Sequence, residues 1–132
     1  MASASGRCAV QSWDESSESV APDGSKRATA RVVQVFHGDV EGKGAASWLM
    51  WYRPDGSSRF VGFQEVEGTL NGRSGRFVLE THGDFDGTVA AWDASVVQGS
   101  GSGDLAGLCG TARFSATHDG RADFHLDYTI ND

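Results

Sequence analysis

Apolar and polar residues alternate along most of this chain with a period of two, and each alternating stretch ends at a glycine or a turn cluster. No apolar stretch keeps a helical period beyond about two turns, so the pattern predicts strands throughout. The first strand covers about residues 7–13, and a polar loop follows over 16–26. Further strands are expected over about 28–36, 45–52, 59–70, 75–82, 88–97, 111–117 and 122–130. The connections carry strong turn chemistry: Pro54-Asp55-Gly56, Asn71-Gly72, Asp86-Gly87 and Asp119-Gly120. The glycine-rich stretch 99–110 reads as an irregular crossover at one end of the fold. Eight strands joined mostly by hairpins predict an all-β, eight-stranded antiparallel barrel, whose closure leaves no open edge. A two-sheet sandwich is the alternative.

Alternation also assigns the faces. The inner face is expected to carry Gln34 and Phe36, then Trp48, Met50 and Tyr52, then Phe60 and Gln64. Phe77 and Thr81, Trp92 and Ala94, Phe114 and Tyr128 complete it. The strand over 45–52 is apolar on both faces, and Trp48, Met50 and Tyr52 are taken as its inward set. That choice leaves Trp51, Val61 and Phe63 as an outer apolar patch, a feature that often marks subunit contacts.

At 132 residues the chain is read as a single domain over 1–132, with 1–6 as a flexible N-terminus. A formal net charge of −7 speaks against a nucleic-acid backbone or an anionic membrane as the main partner. No apolar run is long enough to span a bilayer, and residues 1–7 lack the apolar run of a signal peptide, so a cytoplasmic location is expected. Cys8 and Cys109 belong to no CxxC or Cys/His cluster, so neither a metal site nor a cofactor is expected. Two separate thiols are the simpler reading, a disulfide or a nucleophilic cysteine being the alternatives. His37, His82, His118 and His125 fall at strand ends or on outward faces and read as solvated. GxSxG, HExxH and P-loop motifs are absent, and no helix follows the glycines of 99–107 as a dinucleotide fingerprint requires.

Several strings are more specific. SWDE (12–15), FHGDVEG (36–42), LMWYRPDG (49–56), FVGFQEVEGTLNGRSGRFVLE (60–80) and GSGSGDLAGLCG (99–110) resemble the bacterial family called domain of unknown function 3224. The resemblance covers nearly the whole chain. It implies an allene-oxide-cyclase-like barrel, related to the plant dirigent proteins, with a central cavity and a homo-oligomeric state. Better-known relatives bind apolar, reactive intermediates and steer ring closure or coupling without a cofactor. The chain departs from the family's usual residues at Gln64 (glutamate), Thr81 (histidine), Glu65 (arginine), Cys8 (an aromatic) and Ala94 (tryptophan, here at Trp92). These departures imply a cavity reshaped for a less charged ligand, and they put in doubt any acid–base role inherited from the glutamate and histidine.

The inner face then carries the candidate chemistry. Tyr52, Gln64, Thr81, Tyr128 and Gln34 are polar members of an apolar lining, and a buried polar group needs a partner. With Glu15 at a barrel mouth as a candidate base, Tyr52, Gln64, Thr81 and Tyr128 form the expected catalytic set. Gln34, Phe36, Trp48, Met50, Phe60, Phe77, Trp92, Ala94 and Phe114 form the expected cavity lining. The function expected is a cofactor-independent cyclase or isomerase acting on an apolar, carbonyl-bearing small molecule. The alternatives are a non-catalytic small-molecule-binding barrel and an oligomeric interaction module.

Overall fold

Asn71 and Gly72 adopt left-handed backbone angles, φ 47° and 85°, which is what a two-residue turn between right-twisted strands requires. That turn sets the register of the hairpin of β4 (Ser58–Leu70) with β5 (Arg73–Phe85), paired from Leu70↔Arg73 to Ser58↔Phe85. The computed structural model describes residues 1–116 and 119–131. Its other strands are β1 (Ala2–Val20), β2 (Lys26–Gly38), β3 (Val40–Tyr52), β6 (Ala90–Val96), β7 (Ser102–Gly103), β8 (Leu108–Ala116) and β9 (Arg121–Ile130). Neighbours are antiparallel in the order β1-β2-β3-β4-β5-β6-β8-β9, and β9 returns to β1, so the sheet is a closed eight-stranded barrel rather than a sandwich. The two residues of β7 pair with Gly75 and Arg76 at one end of β5. Among the described residues no helix is long and apolar enough to cross a membrane.

The largest difference from the sequence reading lies in β1. It starts at Ala2, with Ala4 fully buried, where a flexible N-terminus was expected, and it continues to Val20 through much of the expected polar loop. Serines and carboxylates there read as loop, yet ladder hydrogen bonds to β2 need no apolar side chain. Pairing with β9 ends at Ala9↔Arg121, so the second half of β1 is held by β2 alone and overhangs one end of the barrel. A register shift between Val10 and Ser12 places an extra residue, Gln11, in β1. Its effect is to switch the inward set from Cys8 and Val10 to Trp13 and Glu15, which lie opposite the inward Val32 and Ala30.

The inward positions match the alternation elsewhere: Gln34, Phe36, Trp48, Met50, Phe60, Gln64, Phe77, Thr81, Trp92, Ala94, Phe114 and Tyr128 are all buried. Glu65, by contrast, is exposed on the outer wall and takes no part in shaping the interior. At one end the 97–107 stretch folds back so that Leu105, with Leu70 and Leu108, closes the barrel. Gly62 makes room for an indole from β3: a Cβ there would be driven into the Ser47 carbonyl oxygen and would stand 2.8 Å from Trp48 Cδ1. Gly62→Ala should therefore lower stability by about 1–3 kcal/mol, the usual cost of overpacking. Urea unfolding measures this, and an unchanged midpoint would show that Trp48 is not confined by Gly62.

Candidate ligand pocket

An eight-stranded barrel is just wide enough to be filled by side chains or to hold one small ligand. This one does both, in different halves. In the closed half, Phe36, Val66, Phe77, Leu79, Phe124 and Leu126 leave a space of only about 10 Å³, no more than one water needs. From the opposite end a pocket of about 390 Å³ enters the barrel between the β3–β4, β5–β6 and β8–β9 connections. Its walls are mostly aromatic: Trp13, Trp48, Phe60, Phe85 and Trp92, with Met50. The small side chains of Cys8, Ala90, Ala116 and Ala122 supply the space. Hollows on the outer wall are open and charged, as where Asp93 is paired with Arg113.

The aromatic wall is a connected stack. Trp92 lies parallel to Phe114, centroids 4.8 Å apart at 6°, and meets Trp48 and Phe60 edge-on at 5.5 and 5.9 Å. Trp13, nearly half exposed at the mouth, contacts Trp48 at 6.0 Å. Such offset and edge contacts fix ring orientation, so the walls are rigid before any ligand arrives.

Polar groups around the pocket fall into two kinds. Some are already partnered: Trp48 Nε1 donates to Thr81 Oγ1 at 3.1 Å, and Thr81 Oγ1 donates to the Gly62 carbonyl at 3.0 Å. Gln64 Nε2 donates to Gln34 Oε1 at 2.8 Å. At the mouth, Glu15 Oε1 accepts from Trp13 Nε1 at 2.9 Å and from the Tyr52 hydroxyl at 3.1 Å. Others are free. Among the described residues two buried side-chain atoms have no partner, Gln64 Oε1 and Trp92 Nε1. Of the two residues, Trp92 lines the pocket.

The five expected catalytic residues are therefore not one cluster. Tyr52 lines the mouth, and Glu15 reaches the pocket only through the rings of Tyr52 and Trp13. Gln64 and Thr81 are buried beneath the pocket in hydrogen bonds of their own. Tyr128 stands at the closed end, where its hydroxyl accepts from Asn71 Nδ2 at 2.7 Å. Of the expected lining, Gln34, Trp48, Met50, Phe60 and Trp92 face the pocket. Phe36, Phe77 and Phe114 fill the packed half because their bulk leaves no room there, and Ala94 is buried opposite Thr81. Trp13, Ser58, Phe85 and Ala90 are lining residues that the sequence reading missed. For Trp13 a signal was present: Trp13 and Glu15 share a face against Ser12 and Asp14.

Two groups at the pocket hold their protons. Burial pushes the Cys8 thiol up to about 12, so it is an inert apolar side chain and not a nucleophile; both cysteines are free. Burial, then the Glu15 charge and hydrogen bond, push the Tyr52 phenol up to about 12. Among the described residues no carboxylate or imidazole lines the pocket, and none of their His, Cys, Asp and Glu side chains cluster to hold a metal. His118 lies outside the described residues. On the outer wall Ser5 Oγ and His125 Nδ1 are 2.8 Å apart and His125 Nε2 bonds Asp127 at 2.9 Å. That series borders no enclosed space, and the Ser5 N–H is already given to Asp39, so it is a surface network.

The Tyr52 hydrogen bond has a titration signature. A phenol near 10 in the unfolded chain loses its proton before the folded one does. Its stabilising contribution is complete below about pH 10 and is lost as pH rises toward 12. The ultraviolet difference titration between wild type and Tyr52→Phe should give a midpoint near 12, moving down in Glu15→Gln. A midpoint in the ordinary range would disprove the contact.

Comparison with known proteins gives a fold and a family. The family model described as "Protein of unknown function (DUF3224)" matches residues 4–128. A crystal structure of a protein with unknown function from the DUF3224 family of Shewanella oneidensis MR-1 superposes with a TM-score of 0.77 at 24% identity. The match covers 100% of this chain and 99% of that one. Among curated proteins nothing matches. With the family model spanning all but the ends of the barrel, this chain belongs to the DUF3224 family.

Proposed function

We propose that this barrel binds an apolar, ring-containing small molecule carrying one hydrogen-bond acceptor, such as a ketone, in the one-ended aromatic pocket. The observation that carries this is Trp92, whose side chain lines the pocket and whose indole N–H is buried with no partner among the described residues. Leaving such a donor unpaired costs about 1–3 kcal/mol, which a ligand oxygen recovers. A volume of about 390 Å³ sits at the small end of ligand sites, and mostly apolar walls with one or two placed polar groups are their usual make-up. The Glu15 carboxylate holds Trp13 and Tyr52 at the mouth and so acts as a positioning residue.

Ring closure or isomerisation takes, in this pocket, a form that needs no base. Rigid indole and phenyl walls would fold the ligand, and the Trp92 N–H would stabilise charge developing on a carbonyl oxygen. Trp92 supports this second reading, because an N–H that holds the ground-state oxygen would also favour an enolate-like one.

The test uses intrinsic fluorescence, since Trp13, Trp48 and Trp92 all line the pocket. A panel of aromatic and terpenoid ketones should quench it saturably. Trp92→Phe keeps the ring stack and removes the N–H, and should weaken ketone binding roughly 2- to 12-fold, the worth of one net hydrogen bond. Binding of the matching hydrocarbons should not change. Equal losses for ketone and hydrocarbon would defeat the assignment of the donor. Bound ketones recovered unchanged would establish binding without turnover, whereas rearranged product absent from Trp92→Phe would establish the second reading.

A further inference from the structure

The outer wall over β2–β5 carries an apolar centre that nothing in the chain covers. Val33, Leu49, Trp51, Val61 and Phe63 are each at least 40% exposed. Charges flank this centre by sign. Arg31 and Lys43 lie on its β2–β3 side, Glu65 and Glu80 on its β4–β5 side, and all four are exposed. Other charges on this wall are engaged within the chain: Arg27 with Glu18, Arg59 with Asp84, and Arg76 with Glu67. Among the described residues Arg31, Lys43, Glu65 and Glu80 make no ion pair, although Asp14 lies opposite Arg31 and Glu67 opposite Lys43.

The register shows how Arg31 and Glu80 match. Arg31, Ser47, Phe63 and Glu80 form one cross-strand row, and Thr29, Leu49, Val61 and His82 form the next. A two-fold axis along the strands, between β3 and β4, exchanges β2 with β5 and β3 with β4 within each row. It sets Arg31 against the partner's Glu80 and Leu49 against the partner's Val61. Phe63 then packs over the partner's Ser47, a small side chain. The surface is complementary to itself, as an isologous contact must be, with an apolar, aromatic centre inside a charged rim.

We infer that two copies of this chain associate through this wall as a two-fold dimer, each Arg31 paired with the partner's Glu80. Sedimentation equilibrium of the full chain should give a dimer. Arg31→Glu and Glu80→Arg each place like charges together twice, and should raise the dissociation constant by about 100-fold. Mixed one to one, the two variants should form a heterodimer, since the first then offers only anions and the second only cations at these positions. The doubly exchanged protein should dimerise as wild type does. Circular dichroism checks that each variant is folded, as expected for exposed positions. A wild-type chain that stays monomeric at roughly 100 µM would overturn the proposal, and leave this wall to a partner of another sequence. A trimer, a dimer indifferent to both reversals, or a mixture that does not associate would overturn it equally.

Discussion

Closing an antiparallel sheet at eight strands fixes how much interior there is, and everything inside this protein follows from how that volume is shared. Large side chains must be balanced by small ones across the axis. In the closed half, phenylalanines and leucines meet from all sides and the space is used up. In the open half three tryptophans occupy the wall, but alanines, a cysteine and glycines stand around them. The pocket is thus a deficit of side-chain volume confined to one end. The overhang of β1, which carries Trp13 out past β9, sets its mouth.

The same restriction decides which polar groups can work. A barrel interior offers no water to spare, so each buried polar atom must be matched locally. Thr81 satisfies Trp48 and in turn the Gly62 carbonyl, and Gln34 satisfies Gln64. These bonds stiffen the region beneath the pocket and remove Thr81 from chemistry. Where family resemblance implies a glutamate and a histidine, this chain has the neutral Gln64 and Thr81, which bond to Gln34 and to Trp48 and the Gly62 carbonyl. That leaves the Trp92 N–H buried without a partner, and no carboxylate or imidazole among the described residues that line the pocket.

Much of this was legible in the sequence because a half-buried strand must alternate, and β2, β4 to β6, β8 and β9 do so, while β3 is apolar on both faces toward its end. The Asn71-Gly72 turn was readable for the same reason, its backbone angles being hostile to most residues. What escaped was the second half of β1. Its side chains are serines and carboxylates, and the extra residue at Gln11 reverses the phase, so neither hydropathy nor alternation marks it as a strand. The division of the inner face into filled and open halves also escaped. Alternation tells which side chains point inward, but not how far along the axis each one sits. Tyr128 and Tyr52 looked equivalent on that ground, and they stand at opposite ends of the barrel.

The strand β3 joins the inside to the outside. Apolar residues on both faces are the signature of a strand covered on both sides, and a barrel wall covers only one. Inward Trp48 and Met50 build the pocket, while Leu49 and Trp51 face outward in register with Val61 and Arg59. Solvent-facing leucine and tryptophan on a continuous strand are a hazard for aggregation unless their neighbours limit what can approach. Here the unpaired neighbours are cations on one flank and anions on the other, so a copy turned about an axis along the strands meets opposite charges, and a copy that sets like flank on like flank does not. Because this wall runs along the barrel's side and the pocket opens at its end, covering the one leaves the mouth of the other free.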